Sequence, residues 1–171
     1  MKNGATVEIN GCKWTVLDQT ENGFLCICGK IVDRQFGRKT NNYANSDIRK
    51  YLNSEFLEEL EVAVGKENII PFERDLISLC GLKEYGTCED KVSLISVDEY
   101  KKYREFLPRT GKWWWTLTPD STAGNGDEVW VTVVSPSGNI DFYECNYYCG
   151  VRPVCIFSPS IFESGVVKEI E

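Results

Sequence analysis

The sequence predicts an α+β fold: two helices with a mainly antiparallel, twisted sheet. Three observations carry this. β-like runs crowd both ends of the chain, one amphipathic helical pattern and one capping-box motif lie between them, and no regular βαβ alternation occurs. The chain has 171 residues, within the ~100–200 of one domain. It reads as a single domain, 1–171, with a core over about 5–157 and a short tail, 158–171.

The opening runs, 5–9, 13–18 and 23–28, are separated by Asn10-Gly11 and by Glu21-Asn22-Gly23, which predicts a curled meander. Residues 29–45 are polar and basic without either period, the pattern of a long surface connection. A helix starts at Asn45 or Ser46, where Ile48, Tyr51, Leu52 and Phe56 fall on one face. Pro71 interrupts the chain after Ile69-Ile70, and 72–89 has no clear period. A strand over 91–95 leads into Ser96-Val97-Asp98-Glu99, the Ser-x-x-Glu capping box of a second helix that ends before Pro108. Four strands close the chain, at 113–117, 129–134, 139–143 and 151–157. The turn Ser135-Pro136-Ser137-Gly138 joins the middle two.

Composition excludes more than motifs assert. Hydrophobic residues make up 42% and charged residues 26%, as in an ordinary globular protein. The net charge of −7 has the wrong sign for holding phosphate backbones, so nucleic acid is not an expected partner. There is no His, which removes the imidazole base and every His-containing nucleophile or metal arrangement. No apolar run marks a signal peptide or membrane span, so the expected location is cytoplasmic and off the membrane. The eight cysteines then read as free thiols. Cys145 and Cys149 alone approach metal-ligand spacing, and one pair leaves two zinc ligands unexplained. The loop 118–127 carries Asp120, Asn125 and Asp127 but lacks the calcium-loop pattern. No metal or cofactor is expected.

Trp113-Trp114-Trp115 has two readings. Both faces of a central strand pack into the core, or the rings form a platform for a sugar, peptide or base. Near the C-terminus, alternation puts Ile140 and Phe142 inward and Asn139, Asp141 and Tyr143 outward, followed by Asn146, Tyr147 and Tyr148 in a loop. Tyr and Asn suit adaptable binding surfaces, and an ordinary polar hairpin is the alternative.

Five segments carry a resemblance: Trp14-Thr15-Val16-Leu17-Asp18, the run from Ser46 to Phe56, the run from Asp90 to Tyr100, Trp113-Trp114-Trp115-Thr116-Leu117, and Gly150-Val151-Arg152-Pro153-Val154. In this order they resemble an uncharacterised bacterial domain family widespread in gut Gram-positive bacteria and their phages. Its usual form reads W-x-V-L-D, S-x-I-R-x-W-L-N-x-x-F, K-I-F-L-L-S-x-x-E, W-W-L-R-S and G-V-R-P-A. That family is similar to C-type-lectin-like domains, including the sulfatase-modifying, formylglycine-generating branch and retroelement variable proteins.

The resemblance implies a C-type-lectin-like fold whose terminal strand carries Gly150-Val151-Arg152, with Arg152 in a structural role. An Arg within an apolar strand also needs its charge paired. Thr116 stands where the family has Arg. Cys145 and Cys149 lie too close to Gly150 for the oxidase pattern, so the resemblance favours binding over catalysis. The expected function is recognition of a protein or glycan through Trp114, Trp115, Trp130, Asn139, Asp141, Tyr143, Asn146, Tyr147 and Tyr148. The alternatives are a formylglycine-generating-type thiol or metal oxidase, and a phage or mobile-element effector that blocks a host protein.

Overall fold

The computed structural model describes residues 1–165 and 167–170. Strands β1 (Thr6–Ile9), β2 (Cys12–Gln19) and β3 (Phe24–Cys28) form the expected meander. Asn10 and Gly11 take φ of 53° and 72°. Two successive left-handed residues give the turn whose twist matches that of the paired strands.

Residues 29–45 are not a surface connection. They contribute an edge strand, β4 (Val32–Gln35), and bury Phe36, Asn41 and Tyr43 completely. The helix begins where expected: the Ser46 hydroxyl caps it by accepting from the Arg49 amide at 3.1 Å. It runs as α1 (Asp47–Tyr51), a π-helical turn (Leu52–Phe56) and α2 (Leu57–Val64), with Ile48 and Leu52 buried on its inner face. Strand β5 (Ile69–Ile70) follows. The patternless region holds a hairpin of β6 (Phe72–Asp75) and β7 (Thr87–Asp90), and the strand expected over 91–95 is present as the shorter β8 (Val92–Ser93). Helix α3 (Val97–Tyr103) has the complete capping box of Ser96 and Glu99.

The remaining strands are β9 (Trp114–Pro119), β10 (Trp130–Val134), β11 (Ile140–Glu144), β12 (Tyr148–Val151) and β13 (Val154–Phe157). The run 151–157, expected as one strand, is broken at Arg152-Pro153. Its two halves belong to different sheets, and Pro153 has no amide proton to carry a ladder across the break. The stretch expected as a tail is built into the fold: α4 (Ser160–Glu163) buries Ile161, and β14 (Lys168–Ile170) pairs with β1.

Among the described residues, one sheet runs β14-β1-β2-β3-β13-β5, with β8 also on β13, and the second runs β11-β10-β9-β12-β4. Pairings are antiparallel except β9 with β12, where Gly150 lies opposite Trp114. The helices and the antiparallel sheets bear out the α+β class. A Cβ on Gly150 would come within 2.5 Å of Ile31 Cγ2 and 3.1 Å of the Trp113 carbonyl, so any larger residue here would push Ile31 aside and crowd the strand junction. Two clusters form the core. Trp14, Phe36, Leu52, Trp115 and Phe157 belong to one, and Leu17, Ile95, Tyr100, Trp114 and Ile156 to the other. Among the described residues no helix is long and apolar enough to cross a membrane.

Candidate ligand-binding surface

Of the residues expected at the site, Trp114 and Trp115 are core. Strand β9 is central in its sheet and both its faces are covered, leaving Trp114 3% exposed and Trp115 wholly buried. Trp115 Nε1 donates to the Arg34 carbonyl at 2.8 Å, which satisfies the one polar atom of the indole. The core reading of the tryptophan string holds for these two rings.

The inward and outward assignment on β11 holds for Ile140, which packs on the core, and for the exposed Asn139 and Asp141, and is corrected for Phe142 and Tyr143. Tyr143 pairs with Val131 and Phe142 with Thr132 across β10, so Tyr143 and Phe142 occupy opposite faces. Phe142 is 47% exposed, with its ring edge-to-face on Trp130 at 5.6 Å. Tyr143 is half-buried, packed on the larger core cluster. Alternation gives parity, and here each face carries an aromatic residue, so parity alone does not name the inner one.

One expected group does come together. Tyr147 stacks on Tyr143 at 5.4 Å and 26°, and Tyr143 meets Trp113 edge-to-face at 5.1 Å. Trp113, half-buried, was left out of the expected site residues, although the platform reading of the tryptophan string named it; it is the one ring of that string that reaches the tyrosines. Tyr147 is 55% and Tyr148 69% exposed. Asp141 and Asn146 are exposed beside them, and the Asn146 carbonyl accepts from Gln35 Nε2 at 2.8 Å, which ties the loop to β4. Asn139 donates from Nδ2 to Ser137 Oγ at 3.2 Å and closes the β10–β11 turn. Trp130, opposite Glu144 in the ladder and in ring contact with Phe142, lies on the other face of the sheet from Tyr143.

The cysteines are free in this structure, and Cys145 and Cys149 are buried. Burial raises both thiols, Cys149 to about 12, so each is held as a neutral thiol at neutral pH. Thiolate is the form that attacks or ligates. Among the described residues no group of three or more Cys, Asp or Glu could hold a metal ion.

Arg152 sits at the crossover between the two sheets, 2% exposed. Its guanidinium lies 4.8 Å over the Trp114 ring, and Nη2 donates to the Pro108 carbonyl at 3.2 Å. It therefore ties the 104–113 connection to the sheet. The expected charge partner is absent: among the described residues no carboxylate forms an ion pair with it, and its buried Nε has no hydrogen-bond partner.

No curated protein and no solved structure matches the chain. A family model described as a domain of unknown function, DUF6273, matches residues 21–159, and the chain belongs to that family.

Proposed function

We infer that the domain is a non-catalytic binding module of C-type-lectin-like fold that holds a protein or glycan on the tyrosine row of its C-terminal hairpin. The observation that carries this reading is the stack of Tyr147 on Tyr143, backed by Trp113, with Tyr147 and Tyr148 more than half exposed. A backed ring offers a rigid apolar face whose side-chain entropy is already lost before binding, and Tyr adds a hydroxyl at its rim. The exposed polar neighbours Asp141 and Asn146 supply hydrogen-bonding groups around it. The lectin-like assignment is supported by the α+β class and by the Gly150-Val151-Arg152 motif of the resemblance; Gly150 and Val151 close β12, an inner strand, and Arg152 follows it at the crossover between the sheets.

The absence of His and the burial of Cys145 and Cys149 weigh against the oxidase reading. The test is a glycan array together with photo-crosslinking from the exposed position 146 in cell extract, each repeated with Tyr147→Ala/Tyr148→Ala. The reading requires a saturable ligand that the double variant loses without a fall in melting temperature. Undiminished binding by the double variant would move the site elsewhere.

A further inference from the structure

A second site lies away from the tyrosine row and shares no residue with it. Between α3, the 107–110 connection and the β10–β11 turn there is a cleft of about 460 Å³, with Trp114, Val134 and Arg152 among its lining residues. That volume falls within the ~300–1,000 Å³ of small-molecule sites.

The charge of the cleft opposes that of the chain. The protein carries −7, yet the cleft is lined by Lys101, Lys102, Arg104, Arg109 and Arg152 against Glu105 alone. Lys101 is engaged by Asp98 at 3.8 Å and Lys102 by Asp18 at 3.5 Å. Among the described residues none of the three arginines has a carboxylate partner.

Two of these arginines are held in place by aromatic rings. Arg104 lies 5.4 Å over the Tyr100 ring, Tyr100 meets Trp114 edge-to-face at 5.7 Å, and Arg152 lies 4.8 Å over Trp114. The Tyr100 hydroxyl and Arg104 Nη1 each donate to the Gly138 carbonyl at 2.6 Å, which fixes Arg104 to the turn. Arg152 is buried with Nε unpaired, although a buried cation is stable only when its donors are satisfied. Burial pulls its pKa down to about 10, as expected of a cation that no anion compensates.

The geometry points to a binding site for a phosphate monoester, with the phosphoryl group on Arg152 and bridged by Arg104 and Arg109 at the mouth. Three arginines against Glu105 leave two positive charges, which matches a phosphate monoester at neutral pH, about −1.5 to −2, better than a single carboxylate. Leu107, Pro108 and Pro136 give the organic part an apolar wall. Guanidinium forks suit phosphate oxygens and lose little entropy when already stacked.

The experiment is calorimetric titration of the full chain at low salt with phenyl phosphate, inorganic phosphate and succinate. Phenyl phosphate is expected to bind at one site, and more tightly than succinate. Arg104→Gln and Arg109→Gln, both at exposed positions, are each expected to weaken it by about tenfold or more, Arg109→Gln without changing the melting temperature of the free protein and Arg104→Gln with only the small loss that follows from its contacts to Tyr100 and Gly138. Arg152→Met keeps an apolar chain on Trp114 and should abolish binding; if that variant fails to fold, the two exposed variants still decide. Equal affinity for inorganic phosphate supports the site and names free phosphate as the source. Absence of binding by either phosphate, undiminished affinity in both exposed variants, or tighter binding of succinate overturns the proposal.

Discussion

Arg74 and Glu99 meet edge to edge: Arg74 Nη1 donates to Glu99 Oε2 at 3.0 Å, and Nη2 donates to Oε1. The same Oε1 accepts the Ser96 amide at 2.8 Å, completing the capping box of α3. One carboxylate therefore closes the helix and neutralises a buried guanidinium that arrives from the β6–β7 hairpin. Arg74 is satisfied on its other sides, with Nε donating to Ser93 Oγ and Nη2 to the Leu94 carbonyl, both at 2.9 Å.

Glu99→Gln is expected to destabilise the fold by about 3–5 kcal/mol, because it leaves the Arg74 charge buried without its partner. Burial alone would raise the Glu99 carboxyl, but the Arg74 charge, with hydrogen bonds from Arg74 and Ser96, holds it below the usual carboxylate value. A depressed folded pKa means that this stabilisation is complete above the carboxylate range and is lost as pH falls through it. Urea denaturation of the native chain should therefore show stability falling from pH 5 toward pH 3, with a shallower fall in Glu99→Gln.

The two halves of this contact differ in how legible they were. Ser96-x-x-Glu99 announces its cap by spacing alone, as Asn10-Gly11 announces its turn. Arg74 gives no such signal: its stretch has no period, because it is held by one buried ion pair and not by an apolar stripe. Residues 29–45 hid their burial for a related reason, since Phe36, Asn41 and Tyr43 reach the core from the bend that follows β4, a loop and a 3₁₀ turn in succession. The run 151–157 looked continuous because both halves are apolar. Pro153 was the residue that marked the change of sheet. At the site, the sequence brought forward Tyr147 and Tyr148 directly but Trp113 only as one ring of the tryptophan string, because its role depends on a ring contact across the fold.

Asn41 is the best test of the segment that sequence reading placed on the surface. Its Nδ2 donates to the carbonyls of Ser121, Asp127 and Trp130 at 3.1–3.2 Å, and its Oδ1 accepts from the Tyr85 hydroxyl. Asn41→Ala takes this partner from the Ser121 and Asp127 carbonyls and from the Tyr85 hydroxyl, at about 1–3 kcal/mol for each group left unpaired that water does not reach, while the Trp130 carbonyl keeps the Asp120 amide at 3.0 Å. Asn41→Asp is expected to be worse than Ala, since a carboxylate would face three carbonyl oxygens. Hydrogen exchange should report the loss first over residues 121–130.

Thiol reactivity separates the cysteines by burial. Cys80 is exposed, and hydrogen bonds with Ser78 and then Ser121 lower its pKa. Burial raises Cys26, Cys28, Cys149 and Cys155. Disulfide-exchange titration of the folded protein should label Cys80 fastest, and Cys80→Ser should remove that fast phase. In denaturant all eight should react. A slow Cys80, or fewer than eight thiols in freshly prepared protein that has seen no reductant, would contradict the arrangement.

The tyrosine row makes a prediction about stability that is separate from its ligand. Tyr143 is half-buried between Trp113 and Tyr147 and packs on the core, whereas Tyr147 and Tyr148 expose more than half their surface. Removing an exposed ring forfeits little buried area, but removing Tyr143 loses an edge-to-face contact, a stacked contact and their apolar burial. Tyr147→Ser/Tyr148→Ser is therefore expected to shift unfolding free energy by no more than about 0.5–1 kcal/mol. Tyr143→Ser alone should cost about 1–3 kcal/mol, because its ring is also the support on which Tyr147 rests. Double-mutant cycles between Tyr143 and Tyr147 should show coupling of about 0.5–1.5 kcal/mol. If instead the double variant at 147 and 148 unfolds the chain while Tyr143→Ser is silent, the exposed rings are the structural ones and the row is not a preformed surface.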